Sequence, residues 1–128
     1  MHRSRIGVFL IDHPVPSYDA AAAFWAGARG SERTGSFSDA DPYESLEPLS
    51  GGILLELQRI GADTPPRVHL DVETDDVKAE IARLVGLGAS VTTDHGGWAV
   101  MADPGGMLFC VVPVQSGDAF DTSATTWP

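Results

Sequence analysis

Gly51-Gly52-Ile53-Leu54-Leu55-Glu56 reappears later in the chain as Gly105-Gly106-Met107-Leu108-Phe109-Cys110. The similarity extends to earlier segments, because Arg5-Ile6-Gly7-Val8 matches Arg67-Val68-His69-Leu70, and a helical pattern ending at glycine follows each of them. An internal repeat of this length indicates two copies of one small structural unit. Two such units facing each other would enclose a cavity, and the positions at which the copies differ become candidates for function.

The composition limits the classes of protein that fit. A chain of 128 residues with 43% hydrophobic content is typical of one compact globular domain. No apolar run is long enough to span a bilayer, and the start lacks the pattern of a signal peptide. The single cysteine, Cys110, excludes an internal disulfide and favours a cytoplasmic location. A net charge of −10 repels phosphate backbones, so we expect neither a nucleic-acid nor a membrane partner.

Each half is predicted to contain a strand, a helix and three further strands. In the first half, an apolar strand over residues 5–11 ends at a proline-rich turn that begins with Asp12. Ser17 is predicted to cap the helix that follows. One helical stripe is predicted to be buried: Ala21, Phe24, Trp25 and Ala28. The later strands of this half are predicted at Ser31–Phe37, Tyr43–Leu49 and residues 52–60.

The second half has the clearer pattern. A strand over residues 67–73 precedes a helix that Asp75 and Asp76 open. The apolar face of this helix comprises Val77, Ile81, Leu84 and Val85, and Gly86 and Gly88 end it. Three strands follow, at Ser90–Thr93, Trp98–Ala102 and Met107–Val112. We expect one domain over 1–115, with modules at about 5–60 and 67–113, and a tail over 116–128 that is mobile or bound to a partner.

Strand alternation selects the side chains that would face the cavity. In residues 67–73, His69, Asp71 and Glu73 lie on the face opposite Val68, Leu70 and Val72. The repeat makes Glu56 equivalent to Cys110, and Gly7 equivalent to His69. Further candidates for the cavity wall are Phe9, Leu54, Gln58, Trp98, Leu108 and Cys110.

His69 and Glu56 together would form the beginning of a divalent-metal site or an acid–base pair. A metal needs at least three protein ligands, so Asp71, Gln58 or Cys110 would have to contribute. The alternatives are structural, since a strand histidine is often only hydrogen-bonded and a cysteine in an apolar run is usually a small buried hydrophobe. Glu56 in so apolar a strand either faces solvent or has a function, because burying an unpaired carboxylate is costly.

Three segments resemble one known family. They are Phe24-Trp25-Ala26-Gly27-Ala28-Arg29-Gly30, Arg67-Val68-His69-Leu70-Asp71-Val72, and Trp98–Pro113 with its Asp103-Pro104-Gly105-Gly106 turn. Together they resemble the vicinal oxygen chelate superfamily, in the glyoxalase-like branch that includes bleomycin-resistance-type proteins. The resemblance covers about residues 5–113. It implies an α+β fold in which two βαβββ modules form a curved mixed sheet around a cavity, often in a homodimer.

The same resemblance implies metal ligands on the first and last strands of each module. His69 matches the histidine ligand of the second module, and Glu56 matches the carboxylate of the first. Asp71 is a third candidate ligand for a Ni, Zn, Mn or Fe ion. At the two remaining positions this chain has Ile6 or Gly7, and Cys110 in place of glutamate.

Two functions fit these observations. The first is a binding module that holds a small, partly apolar molecule in its cavity beside an incomplete metal site. The second is an enzyme, a divalent-metal-dependent lyase, isomerase or dioxygenase acting on a substrate with vicinal oxygens, in which Glu56 and His69 would be the catalytic residues. The two missing ligand positions favour binding.

Overall fold

The computed structural model describes residues 1–34 and 41–128. Within these residues the chain forms eight β-strands and three α-helices, together with a 3-10 turn at Ser50–Gly52. The elements are β1 (His2–Pro14), α1 (Val15–Arg29), β2 (Tyr43–Leu49), β3 (Ile53–Ile60), β4 (Arg67–Thr74), α2 (Val77–Gly86), β5 (Ser90–Asp94), β6 (Ala99–Ala102), β7 (Leu108–Pro113), α3 (Asp118–Ser123) and β8 (Thr125–Trp127). The described part contains no helix long and apolar enough to cross a membrane.

One mixed sheet contains all eight of these strands. Its order is β2-β3-β1-β4-β7-β6-β5, and β8 pairs with the first residues of β1. The two modules meet where β1 and β4 run antiparallel, and within each module the first and last strands are parallel. The predicted α+β fold with a curved mixed sheet is confirmed. The strand predicted at Ser31–Phe37 extends into residues outside the described part, and residues 31–34 have no regular structure.

Helix α1 packs on the first module through small residues. Its buried side chains are Tyr18, Ala22 and Ala26, which contact Leu46 and Leu57. The predicted stripe is therefore wrong, because Phe24 and Trp25 are 64% and 37% exposed. The cause is the run of alanines, which lets the helix approach the sheet closely on the face that begins at Tyr18.

The ends of α1 are set by proline and glycine. Pro14 precedes the first residue and Pro16 lies in the first turn, where its missing N–H is no loss. Ser17 does not cap the helix, since the helix already begins at Val15 and the Ser17 hydroxyl donates to the Pro14 carbonyl. Gly30 ends the helix in the left-handed conformation, as predicted.

Helix α2 packs on the second module through three of its four predicted apolar residues, and the assignment of Val85 is wrong. The Asp76 carboxylate caps the helix by accepting a hydrogen bond from the Ala79 N–H at 2.9 Å. Val77, Ile81 and Leu84 pack against the cluster of Ala99, Met101, Phe109 and Val111. Val85 lies outside this contact and is 46% exposed.

The segment after β7 folds back onto its own chain. Strand β8 pairs with β1, and Phe120 of α3 is buried. The indole N–H of Trp127 donates to the Ser4 hydroxyl at 2.8 Å, and the Arg83 guanidinium lies 3.8 Å from the centre of the indole ring. The prediction of a mobile or partner-bound tail is therefore wrong, because two aromatic side chains and a strand pairing attach it to the sheet.

Candidate functional site

A cavity of about 530 Å³ lies on the face of the sheet opposite α1 and α2, and we call it the main cavity. Alternation explains its lining, because the strands that send Leu57 and Val111 toward the helices send Glu56 and Cys110 the other way. The lining residues are Val8, Leu10, Asp41, Tyr43, Ser45, Glu56, His69, Asp71, Trp98, Cys110, Val112, Pro113 and Gln115.

A second cavity of about 130 Å³, the side cavity, adjoins the first. Its lining residues are Tyr43, Gln58, Arg67, His69, Trp98, Val100, Leu108, Phe109 and Cys110. Four residues line both cavities: Tyr43, His69, Trp98 and Cys110. The structure thus places Gln58 and Leu108 in the side cavity and Trp98 at the junction.

Two residues proposed for the cavity wall lie elsewhere. Val8 and Leu10 take the cavity face of β1, so alternation turns Phe9 to the opposite face, where it pairs with Leu55 and Leu70. Leu54 is beside Val8 in the pairing of β1 and β3, but it is not among the lining residues of either cavity.

The register of the sheet also corrects the equivalence of Gly7 with His69. Leu10 lies beside Glu56 in the first module, and Asp71 lies beside Cys110 in the second. Because Glu56 and Cys110 are equivalent, Val8 is the counterpart of His69. A register shift between Ile6 and Val8 causes the difference of one residue.

The imidazole of His69 contacts a buried aspartate, Asp12, that was not among the residues predicted from the sequence. The His69 Nδ1 lies 2.7 Å from Oδ2 of Asp12, which is completely buried. The Arg67 Nε donates to the same oxygen at 3.0 Å. A carboxylate at Nδ1 keeps the proton of the neutral imidazole there, so Nε2 is left as a lone-pair donor.

Three side chains with metal-binding atoms converge at the base of the main cavity, and we call them the base cluster: His69, Asp71 and Cys110. Their ligand atoms all lie within 4.8 Å of one another. The His69 Nε2 is 3.7 Å from Asp71 Oδ1, and that buried oxygen has no hydrogen-bond partner among the described residues.

Burial shifts the protonation of this cluster. Loss of solvation raises the pKa of Asp71 to about 6, an effect that the neighbouring His69 opposes and Asp12 reinforces. Burial likewise raises the pKa of the Cys110 thiol to about 11, and the charge of Asp71 adds to this rise. The base cluster therefore disfavours the ionised forms of Asp71 and Cys110 unless a positive charge lies beside them.

The base cluster fits a divalent cation. It offers one imidazole nitrogen, one carboxylate oxygen and one sulfur, a set that zinc and related transition metals accept. The orphaned Asp71 oxygen supports this fit, since buried carboxylate oxygens are normally hydrogen-bonded or coordinated. The Asp12 carboxylate would fix the orientation of the histidine ligand.

Glu56 lies on the wall of the main cavity outside the base cluster. Its Oε2 accepts a hydrogen bond from the Ser45 hydroxyl at 2.7 Å, and burial raises its pKa. The sequence grouped His69, Glu56 and Asp71 as candidate metal ligands. The structure places His69 and Asp71 together with Cys110, whereas Glu56 lies apart and is hydrogen-bonded to Ser45.

The sequence held a signal for Asp12. Val8, Leu10 and Asp12 continue one alternating series, and all three lie on the cavity face of β1. The following prolines led to the interpretation of Asp12 as a turn residue, although β1 continues to Pro14.

Residues 9–112 match the family model described as a glyoxalase-like domain. The chain therefore belongs to this family, and the resemblance to the vicinal oxygen chelate superfamily is confirmed. No curated protein sequence matches the chain.

Solved structures share the fold at low identity. The Mn(II)-bound glyoxalase from Novosphingobium aromaticivorans is 21% identical with a TM-score of 0.60, and the match covers 88% of this chain but 40% of that protein. A Streptomyces coelicolor methylmalonyl-CoA epimerase variant is 19% identical with a TM-score of 0.54, covering 88% and 95% of the two chains. A hypothetical protein from Bacillus halodurans is 13% identical with a TM-score of 0.60 over 88% and 95%. At these identities the likeness shows the fold.

Proposed function

We propose that this protein binds a small molecule in the main cavity beside a divalent cation held by the base cluster. The observation that carries the proposal is the convergence of His69, Asp71 and Cys110 within 4.8 Å on the cavity floor. The Mn(II) ion of the Novosphingobium glyoxalase is consistent with a cation in this fold.

The donor chemistry favours zinc among the Ni, Zn, Mn and Fe ions that the family resemblance suggests. A thiolate is a soft ligand that suits Zn²⁺ better than Mn²⁺. Because the pKa of the Cys110 thiol is raised to about 11, cation uptake must release its proton, and affinity should rise with pH.

Three protein ligands leave coordination positions open for a ligand molecule. A cation bound there would act as a Lewis acid toward oxygen atoms of that molecule. The residues of the chain supply the rest of the site, since Val8, Leu10 and Val112 exclude water from one wall and Trp98 provides an aromatic surface on another. Binding is the proposed function, in a cytoplasmic homodimer.

One observation favours a second function, proton transfer without a cation. Asp71 is a buried carboxyl group in the cavity with a pKa of about 6, so it exchanges a proton near neutral pH. An isomerase or lyase that uses Asp71 as its acid and base would need no cation, whereas the main proposal uses the same carboxylate as a ligand.

Metal analysis distinguishes these functions. Protein purified without a histidine tag should bind one equivalent of Zn²⁺ in calorimetry, and His69→Ala and Cys110→Ser should each weaken binding by about a hundredfold or more. Glu56→Gln is the matched control, because it removes a cavity carboxylate outside the base cluster.

We expect Glu56→Gln to retain wild-type zinc affinity. Loss of zinc in this variant, with retention in Cys110→Ser, would instead identify the His69 and Glu56 set as the site. Wild-type protein that takes up none of Zn²⁺, Ni²⁺, Mn²⁺ or Fe²⁺ would refute the proposal.

A further inference from the structure

The side cavity contains a permanent positive charge, supplied by Arg67. Among the described residues that line either cavity, Arg67 is the only arginine or lysine. The chain as a whole carries a net charge of −10. Arg67 therefore places a guanidinium in the wall of the side cavity of a strongly acidic chain.

The Arg67 guanidinium uses its Nε in an ion pair, and its two terminal nitrogens are available to bind a ligand. Its Nε donates to the buried Asp12 Oδ2 at 3.0 Å, while the side chain is 45% exposed. Within residues 1–34 and 41–128, the two terminal nitrogens have no hydrogen-bond partner. The ion pair with Asp12 thus orients a planar fork of N–H donors, which is the geometry that a carboxylate accepts in two parallel hydrogen bonds.

Two neutral donors lie on the same cavity wall. The Gln58 amide donates to the Tyr43 hydroxyl at 3.3 Å, so the Tyr43 O–H proton remains free to donate onward. Both residues line the side cavity with Arg67. The polar part of this cavity therefore offers hydrogen-bond donors, which suits an anionic group.

The remaining wall of the side cavity is aromatic and apolar. His95 stacks on Trp98 with ring centres 4.1 Å apart and planes at 12°, which fixes one face of the indole. Trp98 lines both cavities, next to Leu108 and Phe109 in the side cavity. A planar ligand group can stack on an immobilised indole with little loss of entropy.

Charge balance supports an anion despite the neighbouring carboxylates. Asp12 forms an ion pair with Arg67 and a hydrogen bond with the His69 Nδ1, so its charge is compensated. A cation in the base cluster would compensate Asp71, because a bound metal ion is the largest local charge in such a site. An incoming carboxylate then meets the half-exposed Arg67 guanidinium directly, whereas the Asp12 carboxylate is completely buried.

We propose that the side cavity recognises a small aromatic carboxylate, with its carboxylate on Arg67 and its ring against Trp98. The proposal rests on the proposed function, because the side cavity shares four lining residues with the main cavity. Arg67 thereby determines specificity, and Tyr43 and Gln58 complete the donor set for the anion.

The experiment compares matched ligands by calorimetry on zinc-loaded and chelator-treated protein. Benzoate should bind, and benzamide, its neutral isostere, should bind about tenfold to a hundredfold more weakly. Acetate tests the ring, since it retains the carboxylate and lacks the aromatic group.

Arg67→Met should lower benzoate affinity by about tenfold to a hundredfold and leave the affinity for neutral benzamide unchanged. Arg29→Met is the matched control, because Arg29, at the end of α1, donates to the Glu47 and Pro48 carbonyls of β2 and lines neither cavity. Arg67→Lys provides a second test if the methionine variant does not fold, since lysine keeps the charge and loses the fork.

Each outcome decides the proposal separately from the metal site. Equal binding of benzoate and benzamide, or unchanged benzoate affinity in both Arg67 variants, overturns it even if zinc binds. Benzoate binding that depends on Arg67 in a protein unable to bind zinc upholds the anion site and refutes the proposed cation.

Discussion

The surroundings of Asp71 differ from those of an ordinary, solvated carboxyl group. It is 7% exposed, its Oδ1 has no hydrogen-bond partner in the described part of the chain, and its pKa is raised to about 6. In the folded protein without metal, the proton is bound more tightly than in the unfolded chain. The contribution of Asp71 to folding stability therefore falls as the pH rises from about 4 to about 6.

Asp71→Asn should stabilise the metal-free protein at high pH. The amide cannot ionise, so the variant avoids the burial of a charge that the wild type must accept above about pH 6. We expect a gain of about 1–3 kcal/mol near pH 8 and little difference near pH 4, measured by urea unfolding with a chelator present. A stability difference that does not change with pH would contradict this account of Asp71. The same substitution should weaken zinc binding, as expected when a site sacrifices stability for function.

The sequence predicts some residues of this site and not others, for a physical reason. His69, Asp71 and Cys110 follow from strict alternation in β4 and β7, which have no irregularity in that pairing. Asp12 and Val8 do not follow, because β1 contains a register shift and continues into a proline-rich segment. Local chemistry at Asp12 resembles a turn, and the pairing with β3 and β4 keeps the strand extended.

At the scale of elements, β1 depends on a glycine at its irregular position. A Cβ on Gly7 would overlap the Cδ of Glu73 and lie 2.6 Å from its Cγ. The Glu73 side chain cannot move aside easily, because it is completely buried and holds hydrogen bonds from Arg5 and Ser116. Gly7 thus permits the close approach of β1 to β4 where the modules join.

Gly7→Ala should destabilise the protein by about 1–3 kcal/mol through overpacking against Glu73. Gly27→Ala is a matched control with the opposite sign, since Gly27 lies in α1 and a methyl group there would meet nothing within 4 Å. That change should stabilise by about 0.5–1 kcal/mol, because alanine is the better helix former. Chemical denaturation of both variants measures the contrast. Equal stability of the two would show that β1 and Glu73 adjust freely.

The helices show where the sequence pattern was sufficient. In α2 the helical spacing of Val77, Ile81 and Leu84 assigned them correctly to the core, whereas Val85 at the end of the helix is exposed. In α1 alanine occupies four consecutive positions, and alanine suits either a buried or an exposed face. Phe24 and Trp25 therefore determine which face of α1 the pattern predicts to be buried, although the residues that pack on the sheet include Ala22 and Ala26.

At the scale of the whole molecule, the internal repeat predicted the arrangement of the two modules. It could not predict the structure of the tail over residues 116–128. The residues after β7 have no counterpart in the first module, so the repeat gives no information about them. Their role depends on Glu73, which accepts hydrogen bonds from the backbone N–H groups of Gln115 and Ser116 at 2.9 and 3.1 Å. Burial raises the pKa of Glu73, but the hydrogen bonds from Ser116, Gln115 and Arg5 outweigh it, and the pKa lies below its ordinary value.

Deleting residues 116–128 should therefore destabilise the whole sheet. The deletion removes the Ser116 partner of a buried carboxylate and the buried ring of Phe120, and together these should cost about 3 kcal/mol or more. Trp127→Phe tests a single contact of the tail. It keeps an aromatic ring beside Arg83 and removes the hydrogen bond to Ser4, which should cost about 1 kcal/mol. Urea unfolding of both variants against the intact chain measures the two losses. A truncated chain that unfolds at the same denaturant concentration as the intact one would show that the tail contributes nothing to the fold, and Glu73 would then have to find its partners in solvent.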